Sequence, residues 1–200
     1  NIRNCPLMKE IEIRKSAEIP AEMPYAVVTF HPVTLEEETA EVQTEELCKV
    51  MHDRSDVFFL MTMANADAGG DIVNRIVGEF ARKHDNAKLA ANLGMIRYLS
   101  AVKYAEFVLG NSSSGILEAP VLGTPTVNIG DRQKGRLMAE TVICCEPEAE
   151  SIKGAIWEAE RLEHQPVYLY GDGTTSDKIV QIMKSVLDAG IEMKKVFYDL

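Results

Sequence analysis

The stretch Gly110–Arg136, GNSSSGILEAPVLGTPTVNIGDRQKGR, decides the fold. The apolar run Phe107-Val108-Leu109 just ahead of it has strand character, and Gly110-Asn111 breaks that run. Ser112, Ser113 and Ser114 then offer three hydroxyls, any of which can cap a following helix. Ile116, Leu117, Ala119, Val121 and Leu122 suit a short buried helix over residues 115–122. Pro120, which donates no backbone hydrogen bond, limits that helix at its N-terminal side. Gly123-Thr124-Pro125 stops it, and Thr126-Val127-Asn128-Ile129 forms a second buried strand. The whole reads as strand, Ser/Gly turn, helix, strand: one βαβ unit with small residues at its first turn.

The same alternation continues on both sides. Tyr25–Phe30 is a buried strand ending at His31-Pro32. Thr34 caps a helix with Glu36, Glu37 and Glu38 in its first turn and Leu35, Val42, Leu47, Val50 and Met51 along its apolar stripe. Val57–Thr62 is a strand followed by the small-residue loop 64–70; Asp71 caps the next helix, which turns Ile72, Ile76, Val77 and Phe80 inward. Ala87–Ala91 is a weaker strand, then the loop Asn92-Leu93-Gly94 and a helix carrying Ile96, Leu99, Val102 and Ala105. Thr141–Cys145 is the last strand; a helix from Pro147 to about Leu162 buries Trp157. After a turn at 167–173, Thr175 or Ser176 caps a helix with Ile179, Val180, Ile182, Met183 and Val186. Strands and helices alternating in this way predict an α/β fold: a three-layer, Rossmann-like domain with a mostly parallel sheet covered on both faces. Residues 25–187 form this α/β domain, 1–24 an incoming linker with few periodic features, and 188–200 a tail.

The chemistry follows from where the loops fall. Open amides and hydroxyls at Ser112, Ser113, Ser114 and Gly115 suit an anion at the start of a helix. Glu118, about one helical turn on, would repel a phosphate in direct contact; it is matched instead to the vicinal hydroxyls of a ribose. A phosphorylated riboside satisfies both, with Arg132 and Arg136 adding positive charge and Arg132 able to grip phosphate in bidentate fashion. The spacing fits equally a Ser-rich helix cap beside an ordinary surface glutamate. His31 stands at the carboxyl end of a strand, where open α/β sheets bind ligands. Asn65 is placed for a polar contact or for a simple Asx-turn. His52, His84 and His164 lie in polar surroundings and read as solvated. The loops at His31, Asn65, Leu93 and Ser112 all follow strands, so they converge on one rim of the sheet.

Composition narrows the classes. With 21 basic and 31 acidic residues the net charge is −10, the wrong sign for a nucleic-acid binder. Apolar content of 46% and mean hydropathy of −0.09 describe a soluble globular protein in the cytoplasm. No run approaches the roughly 20 apolar residues of a membrane span. Cys5, Cys48, Cys144 and Cys145 have no C-x-x-C spacing, so reduced core thiols are expected, with no metal and no cofactor.

Four motifs occur in order: Thr29-Phe30-His31-Pro32-Val33-Thr34, Asn65-Ala66-Asp67-Ala68-Gly69, GNSSSGILEAP and GTPTVNIGDRQ-x-GR. Together they resemble the C-terminal half of a UDP-N-acetylglucosamine 2-epimerase of the hydrolysing kind, over roughly residues 25–185. The resemblance implies the C-terminal domain of a GT-B-type two-domain fold, with an N-terminal domain of the same polypeptide as its partner; the opening at Asn1 fits a fragment. It implies UDP as ligand, its phosphates at Ser112, Ser113, Ser114, Gly115 and Arg132, its ribose at Glu118 and its uracil at Leu93 and Gly94. His31 would serve catalysis by donating to the phosphates, with Asn65, Gln133 and Arg136 as further site residues. The implied reaction converts UDP-N-acetylglucosamine and water into N-acetylmannosamine and UDP, as in sialic-acid formation. The last helix would pack towards the N-terminal domain, and an apolar face there would favour self-association. A non-hydrolysing epimerase or a related nucleotide-sugar enzyme, and a regulatory nucleotide-binding module, are the alternatives.

Overall fold

The computed structural model describes residues 2–33 and 39–190. Leu35 and the Thr34 cap with its three glutamates lie outside that range. Among the described residues, six strands build one sheet: β1 (Tyr25–Thr29), β2 (Phe58–Thr62), β3 (Ala87–Ala90), β4 (Phe107–Gly110), β5 (Thr126–Ile129) and β6 (Val142–Cys145). Every pairing is parallel. The order is β3-β2-β1-β4-β5-β6. The chain therefore builds outward from β1 to β3, then returns to the other side of β1 and builds out again to β6. Between β1 and β4 the crossovers diverge and leave a crevice at the carboxyl ends, the place where open parallel sheets take ligands.

Side-chain alternation along β1 shows how both faces are covered. Ala26 and Val28 point into one apolar cluster with Leu47, Val50 and Met51, Val73, Val77 and Phe80, and Ile152 and Ile156. These come from α2 (Ala40–Asp53), α3 (Gly70–Lys83) and α7 (Ala149–Ala159). Tyr25 and Val27 point the other way, into a cluster with Ile13 and Ala17, Ala101 and Val102, and Ala119. These come from α1 (Glu10–Ala17), α4 (Gly94–Lys103) and α6 (Ala119–Leu122). Strands buried on both faces read as continuous apolar runs, which is why 57–62 and 107–109 lack polar alternation.

The structure departs from the sequence expectations at several points. Residues 1–24 hold a short 3-10 turn (Ile2–Asn4) and α1. Ile13 is fully buried. Arg14 Nη1 donates to the carbonyls of Pro20 (2.8 Å) and Met23 (2.9 Å), tying α1 to the entry of β1. Residues 113–122 are two helices rather than one, α5 (Ser113–Leu117) and α6. Pro120 cannot donate to the carbonyl of Ile116, so the ladder breaks and Glu118 (φ −104, ψ −48) stands at the joint. The helix after β2 starts at Gly70 behind a left-handed Gly69 (φ 84), with no side-chain cap from Asp71. Trp157 is 59% exposed; the inward stripe of α7 is filled by Ile152, Ala155, Ile156 and Ala159, and Arg161 stacks over the indole instead. Cys144 is exposed because β6 is an edge strand. His52 and His84 face each other, Nδ1 to Nε2, at 3.1 Å.

Residues up to Leu169 form one compact unit and those from Tyr170 a second. The second contains α8 (Thr175–Ala189), preceded by a turn in which Asp172 accepts from the Thr174 hydroxyl at 2.6 Å. No helix among the described residues is long and apolar enough to cross a membrane.

Gly110 ends β4 with φ +135, and a Cβ there would stand 2.0 Å from the Thr29 carbonyl oxygen. Gly110→Ala is therefore expected to cost about 3 kcal/mol of stability. Gly154, mid-helix in α7 with open space around it, gives the opposite sign: Gly154→Ala should add about 0.5–1 kcal/mol. Urea unfolding midpoints of the two variants against the parent check both.

Candidate functional site

The turn after β4 is welded to the loop after β1 by one side chain. Asn111 is 1% exposed. Its Oδ1 accepts from the backbone N–H of His31 at 2.8 Å, and its Nδ2 donates to the His31 carbonyl at 2.8 Å. Its own N–H donates to the Thr29 carbonyl at 3.1 Å. The Asn111 carbonyl in turn accepts from Gln133 Nε2 at 2.8 Å and from Arg132 Nη1 at 3.3 Å. One residue thus joins three loops, following β1, β4 and β5, at the switch point of the sheet.

His31 completes the rim with a fourth loop. Its Nδ1 accepts from the backbone N–H of Asn65 at 3.1 Å. A neutral imidazole that accepts at Nδ1 carries its proton on Nε2, which leaves Nε2–H as a donor. Burial, then the neighbouring Arg132 guanidinium, hold the His31 pKa below its ordinary value of 6.5; Asp67 and Asn65 pull the other way. At neutral pH the site therefore presents a neutral N–H donor beside a fixed guanidinium.

On the α4 side of the Ser turn lies an open cleft of about 450 Å³, lined among others by Thr29, Thr62, Tyr98, Ser112, Ser114 and Glu118. Leu93, Gly94 and Met95 close it on the far side. Ser112 caps α5, its Oγ accepting from the Ser114 N–H at 3.3 Å. Ser114 Oγ is buried and makes no hydrogen bond of ordinary geometry. Thr29 and Thr62 hydroxyls meet at 2.7 Å on the cleft floor. Burial raises the Tyr98 pKa against the pull of the Ser114 and Thr29 hydroxyls, so its phenol keeps its proton. Donors gather around the turn, and among the described residues one carboxylate, Glu118, lines the same cleft.

Of the residues singled out from the sequence, the fold brings Ser112, Ser114, Glu118, Leu93 and Gly94 into this one cleft. His31 and Arg132 are not among its lining residues; both are bonded to Asn111, the residue next to Ser112. Ser113 is half-buried in the first turn of α5. Gly115 has a different role from the one expected: it is buried inward, where a Cβ would meet Thr126 Cγ2 at 2.7 Å, so its smallness serves packing on β5. Asn65 offers the site its backbone, because its side chain turns to Asp67 Oδ2 at 2.5 Å. Gln133 is 3% exposed and its amide anchors a loop. Arg136 lies exposed on the outer limb of that loop.

Sequence reasoning passed over Asn111, which read only as a strand breaker, and Tyr98, which drew no reading. A buried-type polar residue immediately after an apolar strand was the available signal for Asn111. None marked Tyr98. Among the described residues no group of three or more His, Cys, Asp or Glu side chains comes together to hold a metal.

Comparison with known proteins adds to this geometry. The sequence profile of the UDP-N-acetylglucosamine 2-epimerase family matches residues 4–184. The chain is 37% identical over 143 residues to the GDP/UDP-N,N'-diacetylbacillosamine 2-epimerase (hydrolyzing) of Campylobacter jejuni, covering 71% of this chain and 37% of that protein. It is 35% identical over 146 residues to polysialic acid biosynthesis protein P7 of Escherichia coli, covering 70% of this chain and 35% of that one. The chain thus spans well under half the length of either relative. Its fold matches the UDP-GlcNAc 2-epimerase of Neisseria meningitidis, solved bound to UDP-GlcNAc, with a TM-score of 0.68 at 15% identity, over 88% of this chain and 49% of that one. The architecture is that of a GT-B-type α/β domain.

Because Arg132 helps to depress His31, Arg132→Gln is expected to move the His31 titration up towards its ordinary value. An imidazole NMR titration reads this directly, and an unmoved midpoint would show that the guanidinium is not felt. The sign for stability is fixed by the same shift. The unfolded chain protonates His31 first as pH falls below about 6.5, so this residue's contribution is complete above that pH and shrinks on acidification.

Proposed function

The chain belongs to the UDP-N-acetylglucosamine 2-epimerase family, and from that premise we propose that it is the UDP-binding, C-terminal part of a hydrolysing enzyme that converts UDP-N-acetylglucosamine and water into N-acetylmannosamine and UDP. The observation that carries the proposal is the single cleft that collects Ser112, Ser114, Glu118, Leu93 and Gly94, with His31 and Arg132 both tied to Asn111, the residue next to Ser112. A uridine diphosphate fits that distribution: phosphates at the Ser turn, ribose hydroxyls at Glu118, uracil against Leu93 and Gly94.

Departure of UDP from the sugar builds negative charge on the terminal phosphate, and donors fixed in advance lower the barrier to it. Here those donors are the Ser turn, the Arg132 guanidinium and the Nε2–H of a neutral His31. In the proposed route the sugar loses its C2 proton, the C1–O bond to UDP breaks to leave a glycal, and water adds across the double bond with inversion at C2. The hydrolysing branch is favoured by the Campylobacter jejuni relative, named as hydrolyzing, and by the Arg132-Gln133-x-Gly135-Arg136 run. Among the described residues Glu118 is the one carboxylate lining the cleft, and it is assigned to ribose; the base that removes the C2 proton is assigned to the N-terminal half of the full-length protein. These 200 residues alone therefore bind UDP without turning over the sugar nucleotide.

Calorimetric titration with UDP tests the site. Ser114→Ala and Glu118→Ala should each weaken binding roughly 5- to 100-fold, the loss of about 1–3 kcal/mol for a hydrogen bond to a charged group. Parent-like affinity in both variants would place the nucleotide elsewhere. Release of N-acetylmannosamine from UDP-N-acetylglucosamine by the pure 200-residue chain would overturn the division of labour.

A further inference from the structure

Two imidazoles meet at the rim of the sheet opposite the cleft. α2 ends at Asp53 ahead of β2, and α3 ends at Lys83 ahead of β3. In a parallel sheet each crossover helix returns the chain to the amino end of the next strand, so these helix ends lie away from the carboxyl rim. His52 stands in the last turn of α2 and His84 at the C-cap of α3. His52 Nδ1 and His84 Nε2 are 3.1 Å apart. The ring centroids are 5.2 Å apart and the ring planes cross at 79°.

The hydrogen-bond roles are fixed from one end. His84 Nδ1 lies 2.9 Å from the Phe80 carbonyl oxygen. A carbonyl only accepts, so Nδ1 carries a proton, and in the neutral ring Nε2 carries the lone pair. That lone pair faces His52, whose Nδ1–H donates to it. One proton thus lies between two nitrogens, each of which is able to hold it. The His84 ring is also fixed by packing: it stacks on Phe80 with centroids 4.0 Å apart and planes at 15°. His52 is exposed, so its ring can turn without repacking the core.

A metal ion can replace a proton shared in this way. Zinc takes imidazole nitrogen at about 2.0–2.1 Å, so two such ligands of a tetrahedral ion stand about 3.3 Å apart. The two nitrogens are already close to that separation. A metal-bound histidine ordinarily donates its second ring N–H to a carbonyl or carboxylate, which sets tautomer and ring direction. The Phe80 carbonyl does this for His84 in advance. Two helices bring their carboxyl ends together here, and that end of the helix dipole attracts a cation. Asp53, next to His52, is engaged by Lys153 at 2.8 Å. Among the described residues no third His, Cys, Asp or Glu joins the pair, so water fills the other coordination positions. Imidazole ligands select late first-row metals over magnesium and calcium, which take oxygen.

We propose that His52 and His84 bind one late first-row divalent cation of the zinc class, which clips the C-terminal ends of α2 and α3 together. The proposal is independent of the nucleotide site.

Zinc chloride titrated into the 200-residue chain with its thiols reduced tests it, with magnesium chloride as the control. The readouts are the imidazole NMR signals and the thermal unfolding midpoint. Zinc should perturb the ring signals of His52 and His84 together and leave those of His31 and His164 in place. It should also raise the midpoint, because an ion bound only by the folded chain stabilises it. Magnesium should do neither. His52→Ala alters an exposed residue, and His84→Phe keeps a ring stacked on Phe80; each should abolish the zinc-dependent rise. A rise that survives either substitution, as binding at the cysteines would give, overturns the proposal. So does perturbation of His31 or His164 in place of the pair, or a parent that does not respond to zinc.

Discussion

The site depends on one buried amide. Asn111 gives both halves of its side chain to the backbone of His31, and its own carbonyl is held by Gln133 and Arg132. Loops at the carboxyl rim of a parallel sheet share few backbone hydrogen bonds with one another. A side chain that carries both a donor and an acceptor can substitute for the missing ladder, and its burial makes leaving either atom unpaired costly. The imidazole of His31, the guanidinium of Arg132 and the Ser turn are therefore fixed relative to one another without any ligand. Placement of this kind suits a site whose task is to hold donors ready for charge that develops during a reaction.

A second constraint places the carboxylate. Without Pro120 nothing would break the ladder within 113–122, and Glu118 would sit within the second turn of one helix. The missing N–H breaks that helix at Glu118, and the residue at the joint lines the cleft. Gly115 sets the depth at which the same unit sits, because only a residue without Cβ lets α5 close on Thr126, whose hydroxyl donates to the Gly115 carbonyl at 2.9 Å. Backbone economy at two positions thus sets the distance between the Ser turn and Glu118.

The position of the cleft follows from topology. Because the order reverses at β1 and β4, the Ser turn stands at the middle of the sheet rim. The ground over β1 and β2 is floored by the paired hydroxyls of Thr29 and Thr62.

Much of the fold was written in local pattern. The continuous apolar runs at 25–30, 57–62 and 107–109, each closed by small or polar residues, announce doubly covered parallel strands, since only strands buried on both faces lack polar alternation. The positions of His31, Asn65 and Ser112 after those strands follow from the same pattern, and Leu93 follows the weaker run at 87–91. What periodicity could not reach are contacts between residues far apart in the chain. Asn111 bonds to a residue 80 positions away, and α1 reads as a linker because its amphipathic stripe is short and its anchor, Arg14, binds carbonyls beyond its end. Trp157 was misplaced because aromatic character alone does not say which side of a helix meets the sheet. By itself, the sequence determined the strands, the helices and the rim on which the loops gather, because those depend on neighbours within a turn or two. Only the tertiary structure decided which side chains on that rim are buried, which are paired and which are left open, because burial and pairing are properties of strands that meet from distant parts of the chain.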